Sequence, residues 1–186
     1  FEGTGKIETP LLNISSQNII GVDLNVLKTF SFGFGELKLS NYLSYLYKNN
    51  IQLSSTIAKE ECRGKYENTC GLPSPEIQNI LSLSFIYKIL NFDTSTSLSA
   101  RYIDGVKDTN SLNPINFSSY SYLDMNFSID FQENLNLTLG INNIFDKNPP
   151  LNGKSINYVP GNANTYPSYY DPLGRYVFLN ISKKFN

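Results

Sequence analysis

Two stretches, LNLTLGINNIFDKNPP (Leu135–Pro150) and YDPLGRYVFLNISKKF (Tyr170–Phe185), decide how this chain is read. In the first, Leu135, Leu137, Leu139 and Ile141 alternate with Asn136, Thr138, Gly140 and Asn142. Period two means a strand with one apolar and one polar face. The second stretch repeats the pattern. Arg175, Val177, Leu179, Ile181, Lys183 and Phe185 share one face; Tyr176, Phe178, Asn180, Ser182 and Lys184 share the other. Soluble sheets and transmembrane barrels both alternate, but a barrel sets its apolar face on lipid and its polar face in a wet lumen. Polar faces of Asn, Thr, Ser and Lys offer little to pack against a second apolar layer, which favours the barrel.

Working outward from these strands, the alternation recurs along the chain. Ile20, Val22, Leu24 and Val26 begin a strand that closes near Phe30, and Ser31–Gly35 reads as a Gly-rich turn. Leu37, Leu39, Leu43 and Tyr45 mark the next strand, and Leu81, Leu83, Phe85, Tyr87 and Ile89 the third. Asn91–Thr94 reads as a tight turn into a strand over Ser95–Ile103. Leu123, Met125, Phe127, Ile129 and Phe131 form the apolar face of a fifth strand, ahead of the turn Gln132–Asn134. Residues 1–18 show no sustained alternation and are read as a loop, with a weak strand signal at Lys6–Asn13. The remaining 19–186 form the β portion.

Three connections are short. Three are long: Lys48–Gln78, Asp104–Ser118 and Asp146–Pro172. They alternate, as short periplasmic turns and longer extracellular loops do in outer-membrane barrels. Aromatics near strand ends (Tyr45, Tyr47, Tyr120, Tyr122, Phe145, Tyr176) fit interfacial girdles.

Composition is consistent with this reading. Over 186 residues only 17% are charged, against about 25% in average soluble domains. Net charge is −1, so no basic field is present to draw nucleic acid. No apolar run approaches the roughly 20 residues of a membrane helix. His is absent, and no nucleophile stands beside a base, so no enzymatic activity, metal site or cofactor is expected.

NNIFDKNPP and YDPLGR, spaced this way before a final strand, resemble the C-terminal end of TonB-dependent outer-membrane receptors. The resemblance is firm over Tyr120–Phe185 and looser over Gly21–Ile103. It implies that Asn142, Asn143, Phe145, Asp146, Tyr170, Asp171, Gly174 and Arg175 build structural corners; from the residues themselves, Arg175 is expected to snorkel to lipid headgroups or pair with Asp171. A last strand with Val177, Leu179 and Ile181 on one face and Phe185 near the end resembles the signal read by the barrel-assembly machinery, although Lys183 and Asn186 depart from it.

The expected fold is therefore all-β, an antiparallel meander of about seven strands. Single-chain bacterial barrels are even-numbered, and plugged transporters have about 22 strands. Seven strands correspond to the last third of such a barrel. The resemblance implies a place in the outer membrane of a Gram-negative bacterium and a role in TonB-driven nutrient uptake. The TonB complex would act through an N-terminal plug absent from this sequence. Ferric siderophore, cobalamin and oligosaccharide substrates all stay open. Two other readings stand beside it: a complete eight-stranded barrel with an adhesive or structural role, and a soluble β-sandwich binding module.

Cys62 and Cys70 share one loop, and in an exported chain two such cysteines are expected to form a disulfide. Tyr66, Tyr158, Tyr166, Tyr169 and Tyr170 fall in the long loops, where each either packs or contacts ligand. Asp124 and Asp130 lie on the polar face of their strand, solvated or paired with Lys or Arg.

Overall fold

The computed structural model describes residues 16–66, 70–109, 116–131, 134–151 and 165–185. The described residues form an all-β structure of eleven strands. Seven are long: β1 (Ser16–Phe32), β2 (Gly35–Gln52), β5 (Ile77–Ile89), β6 (Phe92–Ile103), β9 (Tyr120–Phe131), β10 (Leu135–Asn142) and β11 (Tyr176–Lys183). They pair in chain order as one open antiparallel sheet with β1 and β11 at its edges. The expected meander is present. A short strand, β3 (Glu60–Glu61), adds to the end of β2.

The register explains why alternation was visible on every strand. Leu39, Leu83, Leu98, Met125, Ile141 and Val177 are successive partners across six strands. The next row runs Phe30, Leu37, Phe85, Thr96, Phe127, Leu139 and Leu179. Period two places both rows on one face. That face is bare. Leu98 is 41% exposed and Leu179 60%, and no second sheet covers them among the described residues.

The opposite face is a lattice of small polar groups. Ser82 and Ser99 share a hydrogen bond of 2.8 Å, as do Ser84 and Ser97, and Ser128 meets Thr138 at 3.0 Å. Asn136 donates to Asp130 at 2.7 Å. Gly140 is required here, because a Cβ would collide with the Phe178 ring lying across it.

Several boundaries move. Ser16–Asn18 belong to β1, not to a leading loop, and the weak signal at Lys6–Asn13 lies outside the described residues. Ser31 and Phe32 still pair with Glu36 and Gly35, leaving Gly33–Phe34 as the turn. The β5–β6 turn is Leu90–Asn91, with φ of 49° and 71°. Two residues at positive φ give the primed turn that suits the twist of a hairpin. Position 91 carries an Asn, which tolerates that conformation; Leu90 adopts it with its side chain in solvent.

Two of the three long connections at the other end, Lys48–Gln78 and Asp104–Ser118, are not simple loops. Within them β4 (Lys65–Tyr66), β7 (Val106–Asp108) and β8 (Asn116–Phe117) form a second, three-stranded sheet. Its β4–β7 pair is parallel, an exception to the antiparallel rule of the main sheet.

Candidate functional site

The buried core lies not between layers but in a cap at the long-connection end. Tyr66, Ile103, Val106, Phe117, Tyr122, Tyr166 and Tyr170 are each below a tenth exposed. Tyr66 stacks on Phe117 at 5.8 Å and meets the Tyr166 ring edge-on at 4.9 Å. Phe117 in turn meets Tyr170, which meets Tyr120 at 5.5 Å. Three segments far apart in sequence are thus joined by ring contacts, each adding about 0.5–1.5 kcal/mol beyond area burial. Burial pushes the Tyr170 phenol up to about 12.

The expected disulfide is present. Cys62 and Cys70 are bonded with Cα atoms 5.5 Å apart, and Cys62 is wholly buried. The charged residues beside it pair locally. Lys65 reaches Glu60 at 2.7 Å and Arg63 reaches Glu76 at 3.6 Å. Glu61 accepts the backbone N–H groups of Asn49 and Arg63, each at 3.1 Å.

The two motifs singled out in the sequence meet at the end of β10. Asn143 and Asp146 adopt positive φ, 53° and 54°. The Asn143 amide closes a ring with Lys147, donating to its carbonyl and accepting its N–H, both at 2.9 Å. Asp146 accepts the backbone N–H of Arg175 at 2.8 Å. Gly174, at φ +69°, passes close enough that a Cβ would stand 2.8 Å from the Asp146 carboxylate. Phe145 plays no part inside this corner and is 77% exposed.

Asp171 does not pair with Arg175. Its partner is Arg101 on β6, through bonds of 3.1 and 2.6 Å. Arg101 also grips Asp124 on β9 at 2.5 and 3.0 Å and lies 4.8 Å above the Tyr122 ring. Asp124 further accepts the N–H of Asn143, and the Tyr122 hydroxyl accepts the N–H of Asp171. One guanidinium thereby binds the returning loop to the polar face of the sheet. Such bidentate pairs are the strong, geometrically specific kind. Pairing of Asp124 with a Lys or Arg was one of its two expected states, but nothing in the sequence singled out Arg101 or joined it to Asp171. The Arg175 guanidinium instead reaches the carbonyl of Ile144 at 3.5 Å.

This placement also revises the girdle. Tyr120, Tyr122 and Tyr176 lie on the polar face, and Tyr120 and the 2%-exposed Tyr122 belong to the cap. Val177, Leu179 and Ile181 do share the bare apolar face, while Phe185 lies past the end of β11 and is exposed. Of the loop tyrosines, Tyr66, Tyr166 and Tyr170 pack inward, Tyr158 lies outside the described residues, and Tyr169 is only half-buried.

Comparison with family models, with curated proteins and with solved structures returns no match.

Proposed function

We propose that this chain is the C-terminal part of a TonB-dependent receptor barrel in the outer membrane of a Gram-negative bacterium, serving energy-coupled uptake of a nutrient. The observation that carries the reading is the largely apolar face, interrupted by Lys28 and by Asn41 and Asn79, which hydrogen-bond each other at 3.2 Å. It crosses all seven long strands, stays exposed, and is edged by aromatics. Phe32 stacks on Phe34, which meets Phe85 edge-on, and Phe85 stacks on Tyr87 at the short-turn end, while Phe92 meets Phe131 at 5.0 Å. Tyr45 and Tyr102 share the same face near the other end. From Phe92 to Tyr102 along β6, at about 3.3 Å per residue and a tilt near 45°, the band is roughly 23 Å tall. Barrel bands are about 25 Å.

The receptor reading draws support from the interlocked Asn143–Asp146 and Tyr170–Arg175 segments, which brace the last two strands against each other. The barrel-assembly machinery, outer-membrane lipid and the TonB complex are then its partners, the last through a plug within the same protein. The polar face lines the lumen, and the cap stands on the extracellular side.

The test is the size and migration of the native polypeptide in outer-membrane fractions, boiled and unboiled. A heat-modifiable band several times the mass of this chain is expected. A heat-modifiable band of this chain's own mass would point to a small self-contained barrel. A band in the soluble fraction would sink both.

A further inference from the structure

Three of the four described loop tyrosines are consumed by packing, and the fourth is not. Tyr169 sits in the turn after Tyr166, whose carbonyl accepts its N–H at 2.9 Å. One side of the ring packs on the cap core. Tyr169 also lines a cleft of about 200 Å³ on the polar face, where β2 and β5 emerge. Ser44 and Gln78, register partners on those strands, form its floor.

The cleft's hydrogen-bonding groups divide into two sets. Asn49 is committed: it accepts from Gln17 at 2.8 Å and donates to Ser74 at 3.2 Å. It is 7% exposed and acts as framework. Ser44, Gln78 and Tyr169 make no side-chain hydrogen bond to any described residue. Ser74 keeps its hydroxyl proton for another acceptor. Burial raises the Tyr169 phenol, so it remains a donor at neutral pH. Among the described lining residues the sole charged one is Glu76, already opposite Arg63.

An aromatic wall beside uncommitted amide and hydroxyl groups, with no net charge, fits one chemistry. We infer that this cleft is a subsite for a neutral polyhydroxylated ligand, one sugar ring of a neutral glycan, with Tyr169 as the stacking surface and Gln78 and Ser44 bonding its hydroxyls. An anion would find no counter-charge there, and a cation would have to displace Arg63 from Glu76. The volume lies below the roughly 300–1,000 Å³ of whole-ligand pockets, which suits one end of a longer chain. Uptake of that glycan rests on the membrane-receptor reading; the cleft itself does not.

The experiment applies the full natural polypeptide, in detergent, to an array of neutral and acidic glycans, followed by titration with the glycan retained. Retention of a neutral glycan is expected. Tyr169→Ala should weaken it about tenfold, the weight of one aromatic contact, while Tyr169→Phe keeps most affinity and Gln78→Ala loses several-fold. Heat-modifiable migration of each variant checks its fold. No neutral glycan retained, or Tyr169→Ala binding like the parent, overturns the inference. A folded membrane barrel that binds none sinks the cleft alone. A soluble polypeptide that binds through Tyr169 sustains the cleft and sinks the membrane reading.

Discussion

The carboxylate of Asp146 accepts the backbone N–H of Arg175 at 2.8 Å, across 29 residues of chain. The strand that ends at Asn142 and the strand that begins at Tyr176 are held in register partly by this bond. Asp146→Ala removes the acceptor, and Gly174→Ala places a Cβ at positive φ against it. Each is expected to cost about 1–3 kcal/mol. The readout is the temperature at which heat-modifiable migration is lost, lower for both variants. An unchanged temperature for Gly174→Ala would show that the corner is dispensable.

Arg101 is the larger stake. Asp124 has a side chain only 11% exposed and faces the guanidinium directly. Arg101→Met would leave that carboxylate buried without a counter-charge, at a cost of about 3 kcal/mol or more. Asp171→Asn should cost less, since Asp171 is more exposed and an amide can still accept from Arg101. A protease cutting near Tyr170 should nick Arg101→Met faster than Asp171→Asn, and both faster than the parent. Equal rates in all three would refute the clasp.

Leu139 and Leu179 are register partners on the bare face, and Asn180 is their neighbour on the polar one. If the bare face meets lipid, Leu139→Lys costs about 2–4 kcal/mol near the midplane, while Asn180→Lys costs little. Assembly into the outer membrane should drop sharply for the first and hold for the second. The reverse order would mean the faces are assigned backwards.

The Tyr170 phenol gives a pH signature. An ordinary tyrosine titrates near 10, and burial holds this one at about 12. Its stabilisation is complete below about pH 10. It is lost as pH rises from there through about 12, because the unfolded chain releases this proton first. Tyrosinate absorbance should therefore rise in two phases, and the cap should become protease-sensitive over the later one. Tyr170→Phe should remove part of the later phase.

Much of the main sheet could be read directly, because alternation is enforced wherever one face is uniformly apolar. A one-residue slip would put Leu83, Leu98 and Leu139 among the serines. The turns were less legible. Leu90 adopts positive φ where sequence favours Asn or Gly, so the turn begins one residue ahead of the Asn91–Thr94 segment and shares only Asn91 with it. The cap was nearly invisible. Strands of two or three residues cannot show a period, so Val106 and Phe117 stood as isolated apolar positions inside polar loops. The clasp had no local trace, since Arg101 and Asp171 stand 70 residues apart. The cysteine pair was legible because both members share one loop.

The sheet's unclosed outline has a consequence for production of this chain. β1 runs 17 residues along one margin, with the N–H and C=O of about every second residue turned outward, and β11 offers a shorter row along the other. Such margins template one another. On the barrel reading proposed above, copies made without lipid and without neighbouring strands should zip margin to margin into ribbons with the ~4.7–4.8 Å repeat of stacked strands. Inclusion bodies would be the natural product, and folding into micelles the route back.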